Sequence, residues 1–291
     1  MSKVYQIVTD KVLEAMASGT APWKKAWKGD SIRPFNAATG YEYTGGNFFL
    51  LSLFNHAMPA FLTMNQIKKA GATIKAGEEK KHFPIFYAKW MDAKDSHGKD
   101  YQYPIFRYTL VWNVDQVDGY KLPKRCQPRI NEVAQHTPIE AAAAIVAGYK
   151  DGPKVEEKQS AKACYSPLFD TVTMPNMGQF DKVEDYYSTM FHELGHSTGH
   201  GKRLNRKELT EPTFFGSHDY SVEEMVAELT AAFLSSVAGI DNTIENSAAY
   251  IAGWQKTLKD DVKLFWTAAQ RAQKAADLIL NRQKQVIEKD D

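Results

Sequence analysis

The chain has 291 residues, 43% hydrophobic and 24% charged, with a formal net charge of +1. That length holds two domains with cores of their own, and so ordinary a composition excludes a disordered, collagenous or disulfide-framed chain. Its two cysteines, Cys126 and Cys164, form no CxxC pair, which fits a reducing cytosol and argues against a thiolate zinc site.

The first residues, MSKVYQIVTDKVLEAM, read as an amphipathic helix without the apolar core and cleavage site of a signal peptide. No apolar run approaches the length of a membrane span, so the expectation is a cytoplasmic protein with no membrane partner. The small net charge conceals an asymmetry. Residues 1–129 carry 19 Lys+Arg against 11 Asp+Glu, and residues 130–291 carry 17 against 24. The basic part also holds 20 of the 35 aromatic residues, which points to separate jobs for the two parts.

After the first helix comes Pro22-Trp23-Lys24-Lys25-Ala26-Trp27-Lys28, then a turn-rich stretch and an apolar, helical run that ends at Pro59. Thr63 to Ala70 reads as a short helix with Thr63 as cap and Gly71 as stop. Two β-type segments follow, ATIKAGEEKKHFPIFYAKW and YPIFRYTLVWNVDQV. Residues 121–136 carry Pro123 and Pro128 without a clear period, which places a domain boundary there, between 1–128 and 129–291. Thr137-Pro138-Ile139-Glu140 is a capping box with Pro at the first helical position. A strand, Asp170 to Met174, ends at Pro175. A helix with Asp181 as its expected cap follows, then a second long helix from Ser221 and further helix over 245–289. The fold class is therefore α+β in two domains, the first α+β and the second mostly helical.

The chemistry concentrates in His192-Glu193-Leu194-Gly195-His196. Two imidazoles four residues apart on a helix share one face and can share one Zn²⁺, while Glu193 between them is placed as general base toward water. The alternative is two ordinary helical histidines and a solvated acid. A catalytic zinc needs a third protein ligand. The pattern HExxHxxGxxH nearly fits through Gly199, but its last position is Lys202. His200 follows a predicted helix end at Gly199 and suits a neighbouring or substrate-facing role better. The next helix offers Glu223, Glu224 and Glu228. Its apolar face runs through Val222, Met225, Val226, Leu229 and Phe233, with Glu224 and Glu228 on one stripe and Glu223 on the other flank. Glu228 is the expected ligand and Glu224 the alternative, the remaining acid bonding a ligand histidine. Tyr220 and His218 precede this helix and are candidates to stabilise an oxyanion or to be structural. The Asp170–Met174 strand is a candidate to pair with an extended peptide, or an internal strand.

Cations along a backbone and aromatic faces under the bases bind single-stranded nucleic acid without base readout. The basic part supplies both in Trp23, Lys24, Lys25, Trp27, Lys75, Lys80 and Lys81, joined by Lys89 and Trp90. The plainer alternative is a small aromatic core with solvated lysines.

Taken together, PWKKAW, NAATGYEYTGGN, MNQIKKAGATIKAGEE, VWNVDQVDG, YSPLFDTVTMP, FHELGHSTGHGKRLNR and EEMVAELTAAFL cover nearly the whole chain, which resembles the ArdC-type antirestriction proteins of conjugative plasmids. The resemblance implies an N-terminal single-stranded-DNA-binding domain and a C-terminal zincin-like metallopeptidase domain, together protecting incoming plasmid DNA from host restriction. It implies Zn²⁺ on His192 and His196 and a catalytic Glu193, leaving Glu228 and Glu224 both open. Three readings stay open: a peptidase that cleaves a host restriction component or another DNA-bound protein, a coat of entering single strands whose metal is structural or vestigial, and a metallopeptidase without a nucleic-acid role. A similar N-terminal domain accompanies plasmid primases, but this chain carries no primase signature.

Overall fold

The computed structural model describes residues 2–17, 19, 21, 33–52, 56, 58–94, 99–126, 137–211, 218–240 and 248–282. They divide into two compact units, one of residues 1–14 and 32–130, the other of residues 15–31 and 131–291. The expected boundary at 128/129 lies outside the described residues.

The first unit starts with α1 (Ser2–Met16), whose Tyr5, Val8 and Val12 fall on one buried stripe at helical spacing. Its sheet has the order β1 (Phe35–Asn36), β2 (Ala60–Thr63), β5 (Asp100–Asn113), β4 (Phe83–Lys94). β1 is parallel to β2, and the other pairs are antiparallel. A separate pair joins β3 (Thr73–Ile74) to β6 (Val117–Asp118). Side chains alternate across a strand, so β2 feeds two cores. Leu62 packs with Trp112 and Ile67 on one face, and Phe61 with Val111, Phe83 and Leu51 of α2 (Gly45–Ser52) on the other. The short helix α3 (Met64–Lys69) is capped by Thr63 as expected, here in a capping box with Gln66, and Gly71 after it takes a φ of +67°. β2 covers β5 only opposite residues 111–113, whereas β4 and β5 pair from Phe83↔Val111 to Lys94↔Asp100. Most of their length is thus a two-stranded ribbon.

The second unit opens with α4 (Pro138–Gly148), capped by Thr137 and Glu140 as the sequence predicts. Its sheet has the order β7 (Lys154–Lys158), β9 (Thr171–Pro175), β8 (Cys164–Ser166), with β7 parallel and β8 antiparallel to β9. Only β9 carries a readable apolar pattern. β7 is KVEEK and β8 three residues long, too polar or too short for a periodic signal. The predicted strand is therefore the central one, and β8 is an edge.

Helix α5 (Val183–Ser197) follows, then α6 (Lys207–Thr210), α7 (His218–Ala238), α8 (Ala248–Asp260) and α9 (Leu264–Ile279). The cap of α5 is Lys182, without a side-chain bond, rather than Asp181; Glu184 and Asp185 supply negative charge to its first turn. α7 packs on α4, α5, α6 and α9 and is buried on more than one face. That is why a single apolar stripe misjudges its acids: Glu223, assigned to a flank, is 4% exposed.

Candidate metal centre

α5 places His192 and His196 one turn apart on one face, with Nε2 atoms 3.1 Å apart. Glu224 of α7 reaches both, Oε2 lying 3.6 Å from His192 Nε2 and Oε1 3.6 Å from His196 Nε2. Among the described residues these three form a group whose donor atoms all lie within 4.8 Å of one another. Two Zn–N bonds of about 2.05 Å at a tetrahedral angle separate their nitrogens by roughly 3.3 Å, so the donors converge as a divalent cation requires. Glu228 is not in this group. It sits one turn further along α7, and the crossing of the helices decides which turn lies over the histidines. At that crossing Gly195 meets Ala227: a Cβ on residue 195 would lie 3.0 Å from Ala227 Cα and 3.2 Å from its carbonyl oxygen.

Glu193, 8% exposed, lines the same cavity of ≈ 400 Å³ as both histidines and Glu224. Tyr220 lines it too, and its hydroxyl hydrogen-bonds Glu224; burial and the Glu224 charge push the phenol up to about 12. Burial likewise raises the Glu224 carboxyl. The His218 side chain lies outside the described residues. Cys164 and Tyr165 of β8 also line the cavity, so an edge strand borders the candidate centre.

A buried network fixes the second histidine. His196 Nδ1 lies 3.1 Å from Glu223 Oε1, which places the ring proton on Nδ1 and leaves the Nε2 lone pair toward the donor group. Glu223 is gripped by Arg206, Nε to Oε2 at 2.7 Å and Nη2 to Oε1 at 2.6 Å. Burial alone would raise the Glu223 carboxyl, but the Arg206 and His196 bonds outweigh it and hold it below the usual range. Burial would lower His196, yet the Glu223 bond and nearby carboxylates raise it. Arg206 also donates to the Gly195 carbonyl at 2.9 Å and to Thr198 Oγ1 at 2.6 Å, satisfying groups at the open end of α5. Its guanidinium occupies the place a side chain on residue 199 would need, 2.8 Å from a Cβ built there. Gly199 therefore serves this arginine rather than a ligand turn.

Arg203 makes a second clasp. It donates to the Ser197 carbonyl at 2.7 Å and to Tyr165 Oη at 3.2 Å, and it pairs with Asp170 between β8 and β9. His200 accepts the Lys202 backbone N–H at 3.2 Å and stands outside the donor group. Sequence reasoning assigns neither arginine a role. The only signal for them is the basic spacing in GHGKRLNR.

Of the nucleic-acid candidates, Trp23, Lys24, Lys25 and Trp27 lie outside the described residues. Lys75 Nζ donates to the Asp115 carbonyl at 2.8 Å, Lys81 pairs with Glu78 at 2.6 Å, and Lys80 is exposed.

Comparison with known proteins accounts for both units. Residues 2–112 match the family described as the N-terminal domain of anti-restriction factor ArdC, and residues 141–271 match the zincin-like metallopeptidase family. The crystal structure of antirestriction protein ArdC from plasmid R388, metal-free, superposes with a TM-score of 0.74 at 30% identity, over 96% of this chain and 99% of that one. Its Mn(II)-bound form gives 0.72, over 95% and 97%. An uncharacterized protein of Sinorhizobium fredii, y4eC, is 32% identical over 94% of this chain and 90% of its own length. Two Escherichia coli proteins named DNA primase TraC are 33% identical over 98% of this chain, which spans only 28% and 20% of their lengths. Among the described residues no helix is long and apolar enough to cross a membrane.

Proposed function

The chain belongs to the ArdC-type antirestriction family, and from that premise we propose that it binds single-stranded DNA through its first unit and protects entering plasmid DNA from restriction during conjugation. The second unit acts in this reading as a metal-dependent peptidase, with His192, His196 and Glu224 as ligands. The observation that carries it is the convergence of these three donors beside buried Glu193 in one cavity. Two imidazoles and a carboxylate favour Zn²⁺. The Mn(II) form of the R388 protein makes manganese the alternative.

When bound, the cation would supply Lewis acidity toward a scissile carbonyl and toward water. Glu193 would take the proton of the attacking water and pass it to the leaving amine. Edge strand β8 would hold an extended peptide by backbone pairing. Tyr220 would donate to developing negative charge at the carbonyl oxygen by turning its single hydroxyl proton away from Glu224. A host restriction component or another DNA-bound protein is the proposed substrate, brought near by the DNA-binding unit.

A second reading keeps DNA coating as the whole function and gives the metal a structural part. The net basic charge of residues 1–129 favours it, since coating needs only electrostatics and stacking. Transfer into a restricting recipient with wild type and Glu193→Ala separates the two. Loss of protection supports cleavage, and full protection by a folded variant supports coating.

A further inference from the structure

Beyond Ile85 and Thr109, the ribbon of β4 and β5 carries a stretch of one face that neither the metal centre nor the cores of the first unit use; nearer the sheet the same face, through Phe83 and Val111, belongs to the core with Phe61 and Leu51. In an antiparallel pair, directly opposed residues point to the same side. The register Tyr87↔Arg107, Lys89↔Ile105, Met91↔Tyr103 and Ala93↔Tyr101 therefore puts Tyr87, Lys89, Tyr101, Tyr103 and Arg107 on one face. All five are exposed, the tyrosines by 46%, 49% and 41% in chain order. The Tyr101 and Tyr103 rings lie side by side, with centroids 6.0 Å apart and planes inclined by 37°.

The acids of the ribbon stand on one face only, together with Lys94 and the 45% exposed Tyr108. Lys89 and Arg107 share the tyrosine face, and no acid stands on it between Phe83 and Lys94 or between Asp100 and Val111. Asp92 and Asp100 point to the opposite face, where Gln102 donates to Asp92 at 2.7 Å and Lys94 pairs with Asp100 at 3.7 Å. On that opposite face Phe106 stands 6.0 Å from Tyr5 of α1.

An aliphatic protein partner would leave a different trace, since burying these hydroxyls would require matching acceptors. Single-stranded nucleic acid needs what is present: wet-edged rings to stack on and cations for the backbone, without hydrogen-bond readout. Same-face neighbours along a strand are about 6.8 Å apart, twice the roughly 3.4 Å rise per nucleotide of a stacked strand, so successive rings can each take one base.

We propose that Tyr87, Tyr101 and Tyr103, with Lys89 and Arg107, form a stacking surface on the β4–β5 ribbon for single-stranded nucleic acid of any sequence. This rests on the DNA-binding reading above and adds to it a site distinct from Trp23, Lys24, Lys25 and Trp27.

The test is fluorescence anisotropy of a labelled oligothymidylate with the full chain, over a series of salt concentrations. Replacing Tyr101 and Tyr103 together by Ala weakens binding at least roughly 25-fold, about five-fold for each stacked base at the low end. The double Phe variant, which keeps both rings, binds like wild type. Replacing Lys89 and Arg107 together by Ala lowers the slope of log affinity against log salt by about 0.7 for each phosphate no longer neutralised. Wild-type binding that both Ala pairs leave unchanged, with unaltered melting, overturns the ribbon site and leaves DNA binding to the Trp23–Trp27 segment. Absence of any wild-type complex at low salt overturns the DNA-binding reading itself.

Discussion

Arg206 and Glu223 form a buried two-point ion pair, with bonds of 2.7 and 2.6 Å, directly behind His196 of the candidate donor group. The pair orients His196 and closes the end of α5 in one stroke. Arg206→Lys keeps the charge but cannot reproduce the planar fork, and it strands acceptors at Gly195 and Thr198. It should cost about 1–3 kcal/mol of stability in chemical denaturation for a stranded buried acceptor. Glu223→Gln is milder to the fold but weakens the hold on the His196 proton. Zn²⁺ affinity by competition with a chelating dye should fall by roughly 10–100-fold. Unchanged affinity would mean that Glu223 serves the fold alone.

The ligand choice on α7 can be settled by metal binding. Zn²⁺ should raise the melting temperature of wild type, and a chelator should return it to the metal-free value, because a ligand bound only by the folded state stabilises it by mass action. Glu224→Ala and His192→Ala should abolish the rise. Glu228→Ala should keep it, because Glu228 lies outside the donor group. The reverse result for the two glutamates would restore Glu228 as ligand.

Two helical glycines and one in the turn after α5 should not respond to Ala alike. Gly253 in α8 has nothing within 4 Å of a built Cβ, so Gly253→Ala should stabilise by about 0.5–1 kcal/mol through helix propensity. At Gly195 the same change presses on the Ala227 backbone at 3.0 Å and should destabilise by roughly 1–3 kcal/mol. Its effect should reach the site as weaker metal binding, since α5 and α7 must move apart. Gly199→Ala should displace the Arg206 guanidinium and resemble Arg206→Lys in thermal denaturation.

Asp170 gives the second unit an acid-sensitive clasp. Burial would raise its carboxyl, but the Arg203 and Tyr165 hydrogen bonds prevail and hold it below the ordinary Asp value. The stabilisation is therefore fully present above the unfolded-state value and is lost as pH falls through the lower folded one. Asp170→Asn should remove about 1–3 kcal/mol at neutral pH and flatten the acid limb of a stability–pH curve. Asn tolerates the positive φ of 47° at this position, which confines the change to charge and hydrogen bonding. An acid limb identical to wild type would exclude Asp170 as its source.

The capped helices at Thr63 and Thr137 were legible because a capping box and its neighbours are local. β9 and the β4–β5 pair announced themselves through apolar and aromatic strand residues. β7 and β8 did not. Their identity as strands depends on pairing with β9, which no window of their own residues encodes. The wheel of α7 could not rank Glu224 and Glu228 for a related reason, since a helix packed on several sides has no single apolar stripe to orient it.

By itself the sequence determined the two-part α+β organisation and the pairing of His192 with His196, both of which follow from short-range spacing. The basic, aromatic character of the first part was also its own to give. Only the tertiary structure shows that Glu224 stands 3.6 Å from both histidines, that Glu223 and Arg206 stand behind His196, and that Tyr87, Tyr101 and Tyr103 share a face with Lys89 and Arg107. Periodicity fixes which side of an element a residue occupies. Which neighbour meets that side, and at which turn, is set by contacts such as Gly195 on Ala227, between residues far apart in the chain.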